Sequence, residues 1–428
     1  MAGQTTARMK SVTETALLSA CFLAALLPAG AQEWTRFRGP NGTGLSTAKT
    51  VPTKWTADEI AWKVSLPGAG HSSPVIWGNK VFLTTAEEAK GIFSALCLDT
   101  ADGRVLWRRD FKFSRFEKHN YNSFASTTPT VDEQRLYVAW TTPAHFTLAA
   151  FDHNGNTIWE KDLGPFVSQH NGGASPILYE DKIILANEQD GDSFLIGVEA
   201  TTGATRWKTP RQTTRAAYGT PCVFQPPEGG PPVLVFTGQS HGVSALDPEN
   251  GRVVWEYATA FDKRSVSSPV IAGRFVLGSC GSGGGGNYVV AIRPGDAAQN
   301  KKAEIAWQVR RSAPYVPTSI AVGDLVFLWS DGGVLSCVRA PTGEVKWQER
   351  VGGDFFGSPV CVDGRLFCVS VRGEVVVAAA ADKFAVLARN PLDELCRSTP
   401  AVAGGKMFIR TASHLFCIGG KAAEAASR

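Results

Sequence analysis

The stretch Asp102-Gly103-Arg104-Val105-Leu106-Trp107 decides how the chain is read, because its design returns along most of the sequence. Gly103 and Trp107, Gly155 and Trp159, Gly203 and Trp207, Gly251 and Trp255, and Gly343 and Trp347 each keep a glycine four residues before a tryptophan. An apolar run comes first (ALCLD, LAAFD, IGVEA, VSALD, LSCVR), followed by a few residues rich in Asp, Asn, Thr and Pro. Glycine supplies the positive φ that a tight hairpin needs, and the tryptophan on the returning strand can be buried, so each copy reads as a β-hairpin.

A second marker fixes where the units begin. A proline beside a Ser or Thr opens an apolar alternating strand at Pro74, Pro129, Pro176, Pro221, Pro269, Pro317, Pro359 and Pro400. Proline is tolerated at the first residue of a strand, where no ladder donor is needed. Eight starts imply eight units, each running strand, turn, strand, loop, strand, glycine turn, tryptophan strand. Trp107, Trp159, Trp207, Trp255, Trp307 and Trp347 serve the first six, and Leu387 in KFAVLARN takes the tryptophan position in the seventh. The eighth, STPAVAGGKMFIRTASHLFCIGG, stops after three strands, and Trp62 in EIAWKVSLPG supplies the fourth from the N-terminal side. The expected fold is therefore all-β: an eight-bladed β-propeller with four-stranded blades, its N-terminal strand closing the last blade. An open solenoid of the same units would leave a sheet edge exposed. The chain then divides into a signal peptide (1–31), an extended arm (32–58), the propeller (59–420) and a C-terminal tail (421–428).

Charged residues make up 19 %, glycines number 44 and aromatics reach 10 %, which suits a rigid, strand-rich, exported protein. A net charge of +4 is too small to argue for nucleic acid. Arg8 and Lys10 precede the apolar run Ala16 to Ala31, which ends in Ala29-Gly30-Ala31. This predicts cleavage after Ala31, a periplasmic or secreted product, and no transmembrane segment in the mature chain. Leu18-Ser19-Ala20-Cys21 resembles a lipoprotein box that would anchor Cys21 at the outer membrane; too little apolar sequence precedes Cys21 to favour it. Eight cysteines remain after cleavage, an even number that raises the question of disulfides, yet Cys97, Cys337, Cys368 and Cys417 lie within apolar runs and read as small core residues.

Because strands alternate direction, the loops entering each first strand gather at one end of the ring. Collected there, they offer His71, Lys118, His119, His170, Arg215, Lys263, Arg264, Arg310, Arg311 and Arg397, interleaved with Tyr121, Tyr218, Tyr315, Phe355 and Phe356. A basic, aromatic rim suits an acidic small ligand or a protein partner, since guanidinium forks bind carboxylates and aromatics supply contact area. The candidate binding residues are His71, His119, His170, Arg215, Arg264, Arg311, Tyr315 and Arg397. No catalytic set emerges. His71 beside Ser72 and Ser73 has no orienting acid, the histidines fall in different units, and Glu188, Asp190 and Asp192 in NEQDGDS lack the closing Glu of a calcium loop.

The repeats LDTADGRVLW and LDPENGRVVW resemble the pyrroloquinoline-quinone (PQQ) repeat shared by quinoprotein dehydrogenases and BamB-type outer-membrane assembly factors. The opening WTRFRGPNGTGLS, followed by AWKVSLPGAGHSSPV, is similar to secreted bacterial PQQ-like propeller proteins. The resemblance spans Trp34 to Gly420 and implies the propeller fold. Its dehydrogenase branch implies a quinone stacked on a vicinal disulfide and a calcium held by acidic and amide side chains; this chain has no adjacent cysteine pair and its rim loops are basic. The expectation is an exported, non-catalytic, monomeric, BamB-like scaffold of the cell envelope with no cofactor, binding on the rim. The alternatives are a PQQ-dependent oxidoreductase with an atypical site, and a carbohydrate-binding propeller using the rim aromatics.

Overall fold

The computed structural model describes residues 33–296 and 301–420, with Met1 and Gly3. The expected signal peptide, the box at Cys21 and the tail 421–428 lie outside the described residues. Residues 31–428 form one compact unit; of the other, residues 1–30, only Met1 and Gly3 are described. Every unit read from the repeats is one four-stranded antiparallel sheet, eight in all. In blade 1 the strands are Val75–Trp77, Lys80–Glu87, Ile92–Asp99 and Val105–Lys112. The second and third strands are buried along nearly their whole length, because neighbouring blades cover both faces. That is why they read as continuous apolar runs, whereas the outermost strand is mostly open to solvent. Blade 8 closes as the sequence implies: Ile60–Ser65 pairs with His414–Ile418, placing Trp62 opposite Cys417. All eight cysteines from Cys97 onward are buried and unpaired.

The Ser and Thr residues beside the prolines link the blades into a circle. The backbone N–H of Ser73 donates to Thr128 Oγ1 (2.9 Å), Thr128 to Ser175 Oγ (2.9 Å), Ser175 to Thr220 Oγ1 (3.3 Å) and Thr220 to Ser268 Oγ (3.0 Å). Ser268 continues to Thr318 Oγ1 (3.1 Å), Thr318 to Ser358 Oγ (3.0 Å), Ser358 to Thr399 Oγ1 (2.9 Å), and Thr399 returns to Ser73 Oγ (3.1 Å). Each innermost strand thus has its first buried N–H satisfied by the next blade rather than by its own sheet. In blade 6 the sequence marker is displaced: Thr318 carries the hydroxyl and Ser319 stands where the other blades have proline, so Pro317 lies one residue before the ring.

The glycine and tryptophan of the repeat meet across blades, not within one. Trp62 donates its indole N–H to Thr100 O, Trp107 to His153 O, Trp159 to Ala200 O and Trp207 to Pro248 O, at 2.9 to 3.1 Å. Trp307 and Trp347 dock likewise on Ala340 and Ala381. Gly203, at φ +73°, lies so close to Trp159 that a Cβ would sit 2.7 Å from the ring. Blade 7 departs from the sequence reading. Ala388, not Leu387, faces Val377 at the tryptophan position, and Leu387 falls in the β-bulge, 45 % exposed. The reason is topological: the third and fourth strands of blade 8 come from opposite ends of the chain, so the connecting turn that would receive a tryptophan does not exist. Trp55 from the arm packs in the same apolar cluster as Ala388, its backbone N–H held by Asn390 Oδ1 at 3.0 Å.

The arm crosses the end of the channel opposite the entry loops. Trp34, 0 % exposed, bridges Ile76 of blade 1; Thr35 O accepts from Val131 of blade 2; Asn41 exchanges two 2.8 Å bonds with Val223 of blade 4. Leu45–Ser46 then runs parallel to Val360–Val362, adding a fifth strand to blade 7, and Thr50 Oγ1 reaches Gly405 O of blade 8 at 2.6 Å. A Cβ on Gly39 (φ +66°) would lie 2.6 Å from the Trp34 ring, so the tight turn Gly39-Pro40-Asn41-Gly42 needs glycine there.

Candidate functional site: the channel mouth

At the mouth the entry loops are pinned by the loops between second and third strands, which share that end. Asp331 accepts from the N–H groups of Tyr315 (2.7 Å) and Val316 (3.0 Å). Burial raises its carboxyl pKa and these two bonds oppose the rise. Gln189 Oε1 holds Val167 N–H at 2.6 Å, and Asp190 Oδ1 holds Ala216 N–H at 2.7 Å. Asn122 reaches from blade 2 to the carbonyls of His170 and Gly172 in blade 3.

These anchors bring rings and cations together across the axis. The His119 and His170 rings lie 4.3 Å apart, His119 is 5.2 Å from Tyr121, and Tyr121 is 5.4 Å from Phe356 of blade 7. The Arg397 guanidinium from blade 8 sits over both Tyr121 and Phe356, at 5.3 and 5.5 Å from their centroids. Arg264 of blade 5 donates to Gln169 Oε1 of blade 3 (3.4 Å), and its charge acts on the Tyr315 phenol. Tyr218 meets the edge of His170 and bonds Ser168 Oγ at 2.5 Å.

The electrostatics follow from burial beside cations. His170 is pushed down to about 4 by desolvation, then by Arg264 and His119. Half-buried His71 is pushed down to about 3 by desolvation, then by Arg410, Arg397 and Lys118. Both are neutral at neutral pH, leaving the positive charge to the guanidiniums and Lys118. Among the described residues Arg215, Arg264 and Arg397 make no ion pair; Lys118 pairs with Glu88 at 3.7 Å.

Of the candidates read from sequence, His119, His170, Arg264, Tyr315 and Arg397 converge here. His71 lies within the field of Arg397 and Lys118, and exposed Arg215 acts electrostatically on Tyr315. Arg311 is exposed and is tied only through its backbone carbonyl, to Gln348. Sequence reasoning passed over Asn122, Gln169 and Asp331, whose polar side chains have no periodic signature. It also passed over Arg410, which ends the apolar strand Lys406–Arg410, is wholly buried, and donates to Ser72 Oγ (2.9 Å) and Thr84 O (2.8 Å). That ending was the available signal.

The donor set does not fit a quinone held with calcium, which needs six to eight oxygens around the cation. The converging side chains are cations, imidazoles and aromatic rings, and both oxygens of Asp331 are engaged. Glu188, from the acidic stretch, is taken by Arg211 at 2.9 Å, and among the described residues no three His, Cys, Asp or Glu side chains converge as metal ligands.

The fold is shared widely. BamB from Moraxella catarrhalis superposes with TM-score 0.58 at 15 % identity, covering 84 % of this chain and 98 % of that one. The quinohemoprotein alcohol dehydrogenase ADHIIG from Pseudomonas putida HK5 gives 0.60 at 12 %, covering 93 % and 82 %. Sqt1 from Saccharomyces cerevisiae gives 0.63 at 9 %, covering 84 % and 98 %. Likeness at these identities shows architecture alone. No curated protein matches the sequence significantly. The model of one family, described as outer membrane protein assembly factor BamB, matches residues 56–223, 228–348 and 297–386, more than half of the chain, and to that family this propeller belongs.

Proposed function

We propose that the protein is a binding scaffold of the cell envelope and that its channel mouth captures an acidic segment of a partner protein. The observation that carries this reading is the set of guanidiniums at Arg215, Arg264 and Arg397, which have no carboxylate partner among the described residues while aromatic faces flank them. A carboxylate arriving at Arg397 gains charge-assisted hydrogen bonds without displacing an internal ion pair, and Tyr121 and Phe356 supply apolar contact beside it. His119 and His170 add imidazole nitrogens at the same place. Among the described residues no helix is long and apolar enough to cross a membrane.

Fluorescence anisotropy with a labelled polyglutamate peptide tests the mouth. Arg264→Ala with Arg397→Ala should weaken binding about tenfold or more, and added salt should weaken the wild type. Arg311→Ala, outside the cluster, should bind as the wild type does. Equal binding by all three proteins sinks the proposal. Calorimetric titration with PQQ and calcium, followed by dye reduction on alcohols, addresses the oxidoreductase alternative; tight binding with turnover would replace the scaffold reading.

A further inference from the structure

A second concentration of donors lies deeper, on the propeller axis. The eight ring hydroxyls each accept one backbone N–H, and among the described residues none of their own protons has an acceptor. All eight residues are buried. Against them stand Arg36 and Arg38 of the arm. Arg36 Nη2 donates to the carbonyl of Pro221, the residue after ring member Thr220; Arg38 Nη2 donates to the carbonyl of Pro359, the residue after Ser358, at 3.5 Å. Both guanidiniums therefore lie one residue below the hydroxyl level.

Arg38 is 0 % exposed and Arg36 6 %, and three of their other donors, Arg36 Nε and Arg38 Nε and Nη1, meet no acceptor among the described residues. Their titratable neighbours are each other and the thiols of Cys222 and Cys368, which burial keeps protonated and neutral, with no carboxylate in the set. Burial without a counter-charge disfavours the charged forms, drawing Arg36 down to about 10 and Arg38 to about 9. Arg38 also holds a left-handed backbone, φ 61°, in aiming its side chain inward. Two desolvated cations and a circle of unspent O–H donors call for one kind of group: a compact acceptor carrying negative charge.

We propose that a small inorganic anion binds on the propeller axis, between the circle of eight hydroxyls and the Arg36–Arg38 pair. This site is separate from the mouth and does not rest on the scaffold reading. The anion neutralises the arm's guanidiniums and takes hydroxyl protons from several blades, so it joins the arm to the ring.

Crystals of the full chain soaked in bromide, and others soaked in selenate, read the site directly. An anomalous peak within hydrogen-bond reach of Arg38 and the hydroxyl circle is expected; a bromide peak marks a halide site and a selenate peak an oxyanion site. In solution, chloride, phosphate or sulfate should raise the melting temperature of the wild type saturably. Arg38→Met, which keeps the side-chain length and removes the charge, should need about tenfold or more anion for the same shift. Arg36→Met is the second variant if Arg38→Met fails to fold. Water alone on the axis in both soaks overturns the proposal, as does a wild-type melting temperature indifferent to all three anions.

Discussion

Seven of the eight seams between blades close with a tryptophan docked on the neighbour's turn, while the seam between blades 7 and 8 closes with Ala388 and a tryptophan borrowed from the arm. Six of these pair an indole donor with a receiving carbonyl, Trp255 lies against Gly295, and at all seven the tryptophan and its receiving turn come from successive units of one continuous chain. At the eighth, the receiving turn is lost because the ring is closed by strands from two ends. The difference teaches that the repeat's tryptophan belongs to the interface and not to the blade that carries it: where the receiver is missing, so is the tryptophan.

The largest expected effect compares the two devices. Trp207→Ala should cost about 3–5 kcal/mol of stability in urea unfolding, and Trp55→Ala a similar amount, because each empties a seam of a buried indole. A Trp55→Ala loss below about 1 kcal/mol would break the comparison, since the arm would then not be closing that seam. Ala388→Trp, which restores the repeat on paper, should destabilise by about 1–3 kcal/mol through overpacking; a gain would show that room for the original device persists. At neutral pH the smallest effect concerns the other seam of the closing blade, where His71 stands near Arg410 and its contribution is exposed only as the solution is acidified. Its folded value of about 3 lies below the ordinary 6.5, so as pH falls the unfolded chain takes the proton first. Stability present above pH 6.5 should then fall progressively toward about pH 3, and His71→Gln should flatten that decline. An unchanged slope would remove His71 from the account.

The fold was legible because packing repeats. Glycine turns, tryptophans and hydroxyl–proline strand starts each answer one geometric demand that returns from blade to blade, and their misreadings are local. Leu387 was read at the tryptophan position because counting residues along a strand cannot see the bulge that shifts Ala388 into place. Pro317 was read as a strand start because proline was the visible marker, while the structural requirement is the neighbouring hydroxyl. The arm was opaque for the opposite reason: its contacts fall on blades 1, 2, 4, 7 and 8 at irregular intervals, so no period exists to be found. At the mouth, strand alternation named the loops that gather there. Which side chains meet, such as His119 with His170 or Arg397 with Tyr121, depends on loop courses set by Asn122 and Asp331, and composition carries no record of those.

The arm has a consequence for how such a ring can change size. The hydroxyl circle is permissive, since any copied unit brings its own N–H and its own hydroxyl and could be spliced in beside its parent. The arm is a gauge. Its residues from Trp34 to Thr50 measure fixed intervals to blades 1, 2, 4, 7 and 8, and an added or deleted unit would put Val223 or Cys361 out of its reach. Growth by duplication is thus held in check by the segment that contains none of the repeat.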